Sequence, residues 1–163
     1  MARKHKVKKQ LTVYADGSAD IKSLTSGYGY VVLDSAGNIV EEGSGTLDYA
    51  NNTYAELNAV LIGTEAALKY NPSQITVYTD YQTIPYALKH EISRWKKHDW
   101  QTSKGKKVRF EDLWKKLLKF TQTGRIKFDW VKGHCGNVHN DRCDFLAGEA
   151  VKVAIADKQI KAA

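Results

Sequence analysis

Several features that mark specialised chains are scarce or missing here. Two cysteines, Cys135 and Cys143, occur in 163 residues, too few for a disulfide framework and suited to a reducing compartment. No apolar run approaches the ~18–20 residues needed to cross a bilayer. Met1–Gln10 is basic and no apolar stretch follows it, so it does not read as a secretory signal. There is no internal repeat and no Gly/Ser-rich linker. These absences predict one globular domain in the cytoplasm, without a membrane span.

What is present is uneven positive charge. The formal net charge is +7. Residues 1–10 carry five Lys/Arg and no acid, and residues 91–109 carry seven Lys/Arg against Glu91 and Asp99. The rest of the chain holds 13 basic and 16 acidic side chains. Cations gathered in two short segments suit a polyanion such as nucleic acid, although a basic run can also be ordinary solvated surface.

Hydrophobic patterning outlines the fold. Leu11–Ala15 alternates as a strand and ends at Asp16-Gly17-Ser18, a turn signal. Tyr28–Leu33 and the more polar Ile39–Leu47 flank a tight turn at Ser35–Asn38, completing an antiparallel meander. Asn52-Thr53 offers a helix cap. From Tyr54 to Tyr70 the residues Leu57, Val60, Leu61, Thr64, Ala67 and Leu68 make a helical stripe that Asn71-Pro72-Ser73 ends. Ile75–Thr79 is a short strand ending at Asp80. A helix holding Pro85 reaches about Lys89. Leu113, Trp114, Leu117 and Leu118 mark another helix from Phe110 to Thr121, and Ile126, Phe128 and Trp130 alternate as a last strand. A final helix runs from about Asn140 to Ile155. The expectation is an α/β domain over residues 11–155 with a five-stranded mixed sheet, three strands antiparallel and two parallel. Short tails at 1–10 (flexible) and 156–163 flank it.

Three acids fall where such sheets place functional groups: Asp16 and Asp80 at strand carboxyl ends and Glu56 in the first turn of a helix. A fourth, Asp144, follows Cys143 on the last helix. Converging carboxylates repel one another, and a divalent cation relieves the repulsion. Oxygen ligands favour magnesium or manganese, and two such ions can assist phosphodiester hydrolysis. Spacing alone does not bring the four together, and each could be a cap or a surface acid.

Several blocks in order carry a resemblance. Tyr14-Ala15-Asp16-Gly17-Ser18, Gly27-Tyr28-Gly29, Asn52 with Ala55-Glu56-Leu57, Tyr78-Thr79-Asp80, Trp130-Val131-Lys132-Gly133-His134 and Asn140-Asp141-Arg142-Cys143-Asp144 together resemble type 1 ribonuclease H over roughly residues 11–152. The resemblance implies the ribonuclease H-like fold and an endonuclease that hydrolyses the RNA strand of RNA–DNA hybrids, leaving 5′-phosphates. It implies two magnesium ions, with manganese as substitute, held by Asp16, Glu56, Asp80 and Asp144. His134, in a Gly-His-Cys-Gly loop, resembles the family's histidine linked to proton transfer or product release. Gly17, Ser18, Asn52, Thr53, Gln82 and Asn140 match positions that meet substrate. Glu91–Arg109 resembles the family's basic protrusion, so Trp95, Lys96, Lys97, Trp100, Lys106 and Lys107 are further substrate-binding candidates, with the two tryptophans expected mainly as the protrusion's small core. A monomer is the family default.

The pattern also has departures. Ala19–Ser26 replaces a Gly-Asn-Pro-Gly-type loop, with Lys22 where an asparagine usually reaches the minor groove. Thr53 replaces the second residue of an Asn-Asn pair, Tyr81 replaces a small polar residue, and Glu91 stands where some relatives have an aromatic. Rival readings are a zinc-stabilised nucleic-acid-binding module built on His134, Cys135, His139 and Cys143, a catalytically weak hybrid-binding protein, and another nuclease on the same fold.

Overall fold

The computed structural model of the protein describes residues 9–163. Along the chain lie β1 (Gln10–Asp20), β2 (Thr25–Leu33), β3 (Ile39–Leu47), α1 (Asn52–Leu68), β4 (Gln74–Thr79), α2 (Thr83–His90), α3 (Ile92–Lys97), α4 (Glu111–Gln122), β5 (Ile126–Trp130) and α5 (Val138–Ala162). The strands form one sheet in the order β3-β2-β1-β4-β5. β1 pairs antiparallel with β2 and parallel with β4, β2 pairs antiparallel with β3, and β5 adds parallel to β4. This is the mixed sheet the patterning predicts, with β1 at its centre. Most of the basic tail expected over 1–10 lies outside the described residues; Gln10 already belongs to β1.

The two faces of β1 follow its period of two. Val13 and Ala15 face α1, where they meet Gly63. Tyr14 lies on the opposite face with Val31, Leu33, Cys143 and Leu146. The expected turn at Asp16-Gly17-Ser18 is absent, and β1 runs on to Asp20. Gly17 serves a different purpose there: a Cβ on it would collide with the backbone of Ala55 and Glu56. The glycine is a point of close approach between strand and helix. The real turn spans Ile21–Leu24, where Leu24 takes a φ of 54°.

α1 starts two residues earlier than the stripe implied. Its cap is Asn51, in extended conformation, whose side chain accepts from the Tyr54 amide at 3.1 Å. Asn52 and Thr53 are the first helical residues rather than the cap. The helix is apolar over more than one stripe, because it is covered by the sheet and by α4. In α2, Pro85 occupies the third position, inside the first turn, where its missing N–H costs no helical bond.

α5 covers the other face of the sheet, against β2 and β1. Asn137 caps it through bonds from the His139 and Asn140 amides. The helix does not stop near Ile155 but continues to Ala162. The tail expected over 156–163 contains neither glycine nor proline to end it.

The buried side chains of segment 91–109 are continuous with the main core rather than a separate small one. Trp95 and Trp114 meet edge to face at 5.3 Å, and Trp95, Trp100 and Val108 are buried. Lys115 lies 5.3 Å over the Trp100 ring. Lys96, Lys97, Lys106 and Lys107 are all exposed around it.

Candidate active site

The site forms where β1 outlasts its neighbour. Pairing of β1 with β4 ends at Tyr14–Tyr78, while pairing with β2 continues to Asp20. Asp16 therefore lies in mid-strand, just beyond the last β4 rung, opposite Gly29 of β2. Asp80 directly follows β4. Because α1 begins at Asn52, Glu56 falls in its second turn rather than its first; it comes in from the other face, and its Oε2 accepts from the Gly17 amide at 3.2 Å. One carboxylate oxygen from each of Asp16, Glu56 and Asp80 lies within 4.8 Å of the others. Three acids spread over 64 residues of sequence, from Asp16 to Asp80, thus become one cluster through the strand order and the close approach at Gly17.

Its electrostatics are unfavourable without a cation. Burial, then the charges of Asp80 and Asp144, push the Asp16 carboxyl up to about 7. Burial, then Asp16 and Asp80, hold Glu56 well above the usual carboxylate range. None of the ion pairs among the described residues involves these three groups. Crowded, hard oxygen donors without a basic partner are what a divalent cation such as magnesium fits.

Asp144 stands slightly apart. It is outside the close cluster, with its side chain half exposed, yet near enough to raise Asp16. His134 Nδ1 lies 3.9 Å from Asp144 Oδ2, and its side chain is exposed. Its φ of 50°, with Gly136 at 86°, marks the bend that turns this loop back toward the cluster.

Comparison with known proteins bears on this site. The RNase H family model matches residues 8–152. The ribonuclease H of Chlorobium chlorochromatii (strain CaD3) is 36% identical over 148 residues, covering 90% of this chain and 98% of the relative. Ribonuclease HI of Synechocystis sp. (strain ATCC 27184 / PCC 6803 / Kazusa) is 34% identical over 140 residues, covering 84% of each. The chain belongs to the type 1 ribonuclease H family. The crystal structure of RNase H1 from the halophilic archaeon Halobacterium salinarum NRC-1 superposes on this ribonuclease H with a TM-score of 0.65 at 26% identity, over 88% of this chain and 98% of that one. LC11-RNase H1, solved in complex with RNA/DNA hybrid, shares the fold with a TM-score of 0.69 at 20% identity, over 89% and 99% of the two chains.

The remaining candidates fall into three groups in this ribonuclease H. Gly17 and Ser18 continue β1 beside the acids, and Asn52 and Gln82 are exposed at the starts of α1 and α2. Thr53 is engaged: its hydroxyl lies 2.9 Å from the Tyr81 hydroxyl. Two departures from the family pattern therefore answer each other. Asn140 is only 1% exposed. Its Nδ2 donates to Asp80 Oδ2 at 3.2 Å, while its Oδ1 has no partner. Trp95 and Trp100 are buried in the main core, where Trp95 packs against Trp114 of α4.

Sequence reasoning missed the supports of Asp80. The Trp130 indole donates to the Asp80 carbonyl at 3.2 Å, and a Cβ on Gly133 would strike the Asp80 carboxylate. Both residues sit in the Trp-Val-Lys-Gly-His block, which signals the family without revealing that Asp80 is what it touches. The zinc arrangement does not form among the described residues: Cys143 is buried with Val31 and Leu33, and the cluster that could hold an ion consists of carboxylates alone.

Proposed function

We propose that this ribonuclease H is a cytoplasmic, monomeric endonuclease that hydrolyses the RNA strand of RNA–DNA hybrids with two magnesium ions, leaving 5′-phosphate ends. The observation that carries the reading is the convergence of Asp16, Glu56 and Asp80 with no basic partner. Among the described residues, no helix is long and apolar enough to cross a membrane.

Asp16, Glu56 and Asp80 would hold the ions, with Asp144 completing the second site. Bound there, divalent ions supply charge neutralisation at the phosphodiester and a more acidic water. The chain's own residues do the rest. Asn140 and Trp130 fix Asp80 through its carboxylate and its carbonyl, so the ligand is oriented before any ion arrives. His134, exposed and 3.9 Å from Asp144, carries a proton to or from the reacting end of the strand.

Lys96, Lys97, Lys106 and Lys107 surround the buried tryptophans of the basic segment and would meet phosphates, adding affinity without base specificity. Asn52 and Gln82, both exposed, would reach the groove. Hybrid preference would come from groove shape and 2′-hydroxyls. Cleavage of labelled hybrid should vanish with chelator, return with magnesium or manganese, and leave 5′-phosphorylated fragments. Undiminished cleavage in chelator, or products ending in 5′-hydroxyls, would overturn the reading.

A further inference from the structure

The β1–β2 turn is held from two sides. From within, Asp20 Oδ1 accepts from the amides of Lys22 and Ser23, and its Oδ2 accepts from the Ser23 hydroxyl at 2.9 Å. From outside, the Lys158 ammonium of α5 donates to the carbonyls of Ser23 at 3.1 Å and Leu24 at 2.5 Å. Lys158 lies in the part of α5 that extends past residue 152, where the family match ends.

Just before this extension, α5 packs closely on the sheet. A Cβ on Gly27 would lie 2.8 Å from Ala150 Cβ and 3.0 Å from the Ala147 carbonyl. That contact fixes the helix against β2, and Lys158, eight residues on, is delivered to the turn by a rigid rod. The turn itself continues the strand that carries Asp16. Ile21 is five residues along from Asp16, roughly 16 Å at ~3.3 Å per residue, a span of a few nucleotides. It presents Lys22, Ile21 at 54% exposure and Leu24 at 67% exposure.

We propose that the C-terminal extension of α5 is a strap that fixes the β1–β2 turn for substrate, with Lys158 as a positioning residue and Lys22 as the cation the turn presents to a phosphate. This rests on the hybrid-cleaving reading above. Left to its internal bonds, an exposed turn with Leu24 in left-handed backbone would sample other forms. Charge-assisted bonds from Lys158 to two carbonyls narrow that choice, so the cost of ordering the turn is met before the hybrid binds.

Steady-state cleavage of a labelled hybrid by the full-length protein tests it. Lys158→Ala should raise KM about fivefold with kcat changed less than about twofold, as expected for loss of a charged hydrogen bond remote from the reacting atoms. Lys158→Arg should recover most of the affinity. Lys161→Ala, which removes a charge from the same extension, should leave KM alone. Lys22→Ala should raise KM, and the Lys22→Ala/Lys158→Ala pair should be little worse than Lys22→Ala by itself. Equal KM effects at Lys158 and Lys161 would reduce the strap to general charge and overturn the proposal. So would a lower melting temperature for Lys158→Ala with KM unchanged, or full additivity with Lys22→Ala. A wild-type protein that leaves the hybrid intact would instead overturn the function beneath it.

Discussion

Removing one charge from the carboxylate cluster should stabilise the metal-free protein while destroying its activity. Asp16 is 5% exposed, and its carboxyl is raised from 3.8 to about 7. A folded-state pKa above the unfolded value means that the folded protein binds the proton more tightly. Its penalty is absent below the unfolded pKa, grows as pH rises through the window from about 4 to 7, and is complete above it. Three units at about 1.4 kcal/mol each give about 4 kcal/mol at pH 8 and about 1 kcal/mol at pH 4.5.

Asp16→Asn keeps the shape and deletes the charge. Because Glu56 shares the strain and relaxes in part, a gain of about 2–4 kcal/mol at pH 8 is reasonable, or roughly 5–10 °C in melting temperature for a domain of this size. Thermal melts of both proteins in chelator at pH 4.5 and pH 8 measure it. The variant should melt well above wild type at pH 8 and close to it at pH 4.5. Magnesium should raise the wild-type melting temperature and leave the variant nearly unmoved, since only the wild type keeps the full ligand set. A variant that melts at or below wild type at pH 8 in chelator would refute the claim that repulsion and burial dominate this cluster.

Three other substitutions probe the scaffold around the cluster. Asn140→Ala frees Asp80 Oδ2 and should lower kcat by about tenfold or more with KM little changed, the signature of lost ligand orientation; an unchanged kcat would show that Asp80 needs no such support. Gly17→Ala forces a methyl into the α1 backbone and should cost more than about 3 kcal/mol in chemical denaturation, because a backbone cannot swing aside as a side chain can. His134→Ala should slow turnover while calorimetric magnesium binding stays intact; loss of binding would make the histidine part of the metal site.

The sheet was legible because apolar runs rich in strand formers are bounded by turn residues; β4 alternates cleanly, while β2 is buried along nearly its whole length. The error in β1 came from reading Asp16-Gly17 locally. Glycine can mark a turn or a close contact, and only the position of α1, far along the chain, distinguishes them. The trio Asp16, Glu56 and Asp80 was legible through the blocks around it, which also single out Asp144. The separation of this tight trio from a more exposed Asp144 was not, because it depends on how α5 packs on the sheet. Asn140 illustrates the same limit: nothing in the sequence shows that this residue in the first turn of α5 is buried and donates to Asp80. The length of α5 was missed because residues 153–162 carry little apolar patterning, and what anchors them, Lys158 on the β1–β2 turn, joins residues more than 130 apart.

The central claim is that this cluster cuts RNA only where it is paired with DNA. The direct measurement offers the protein the same labelled RNA as an RNA–DNA hybrid, as an RNA duplex and as a single strand, with magnesium and with chelator. The account predicts magnesium-dependent fragmentation of the hybrid alone. Equal cleavage of all three, or of none, would contradict it.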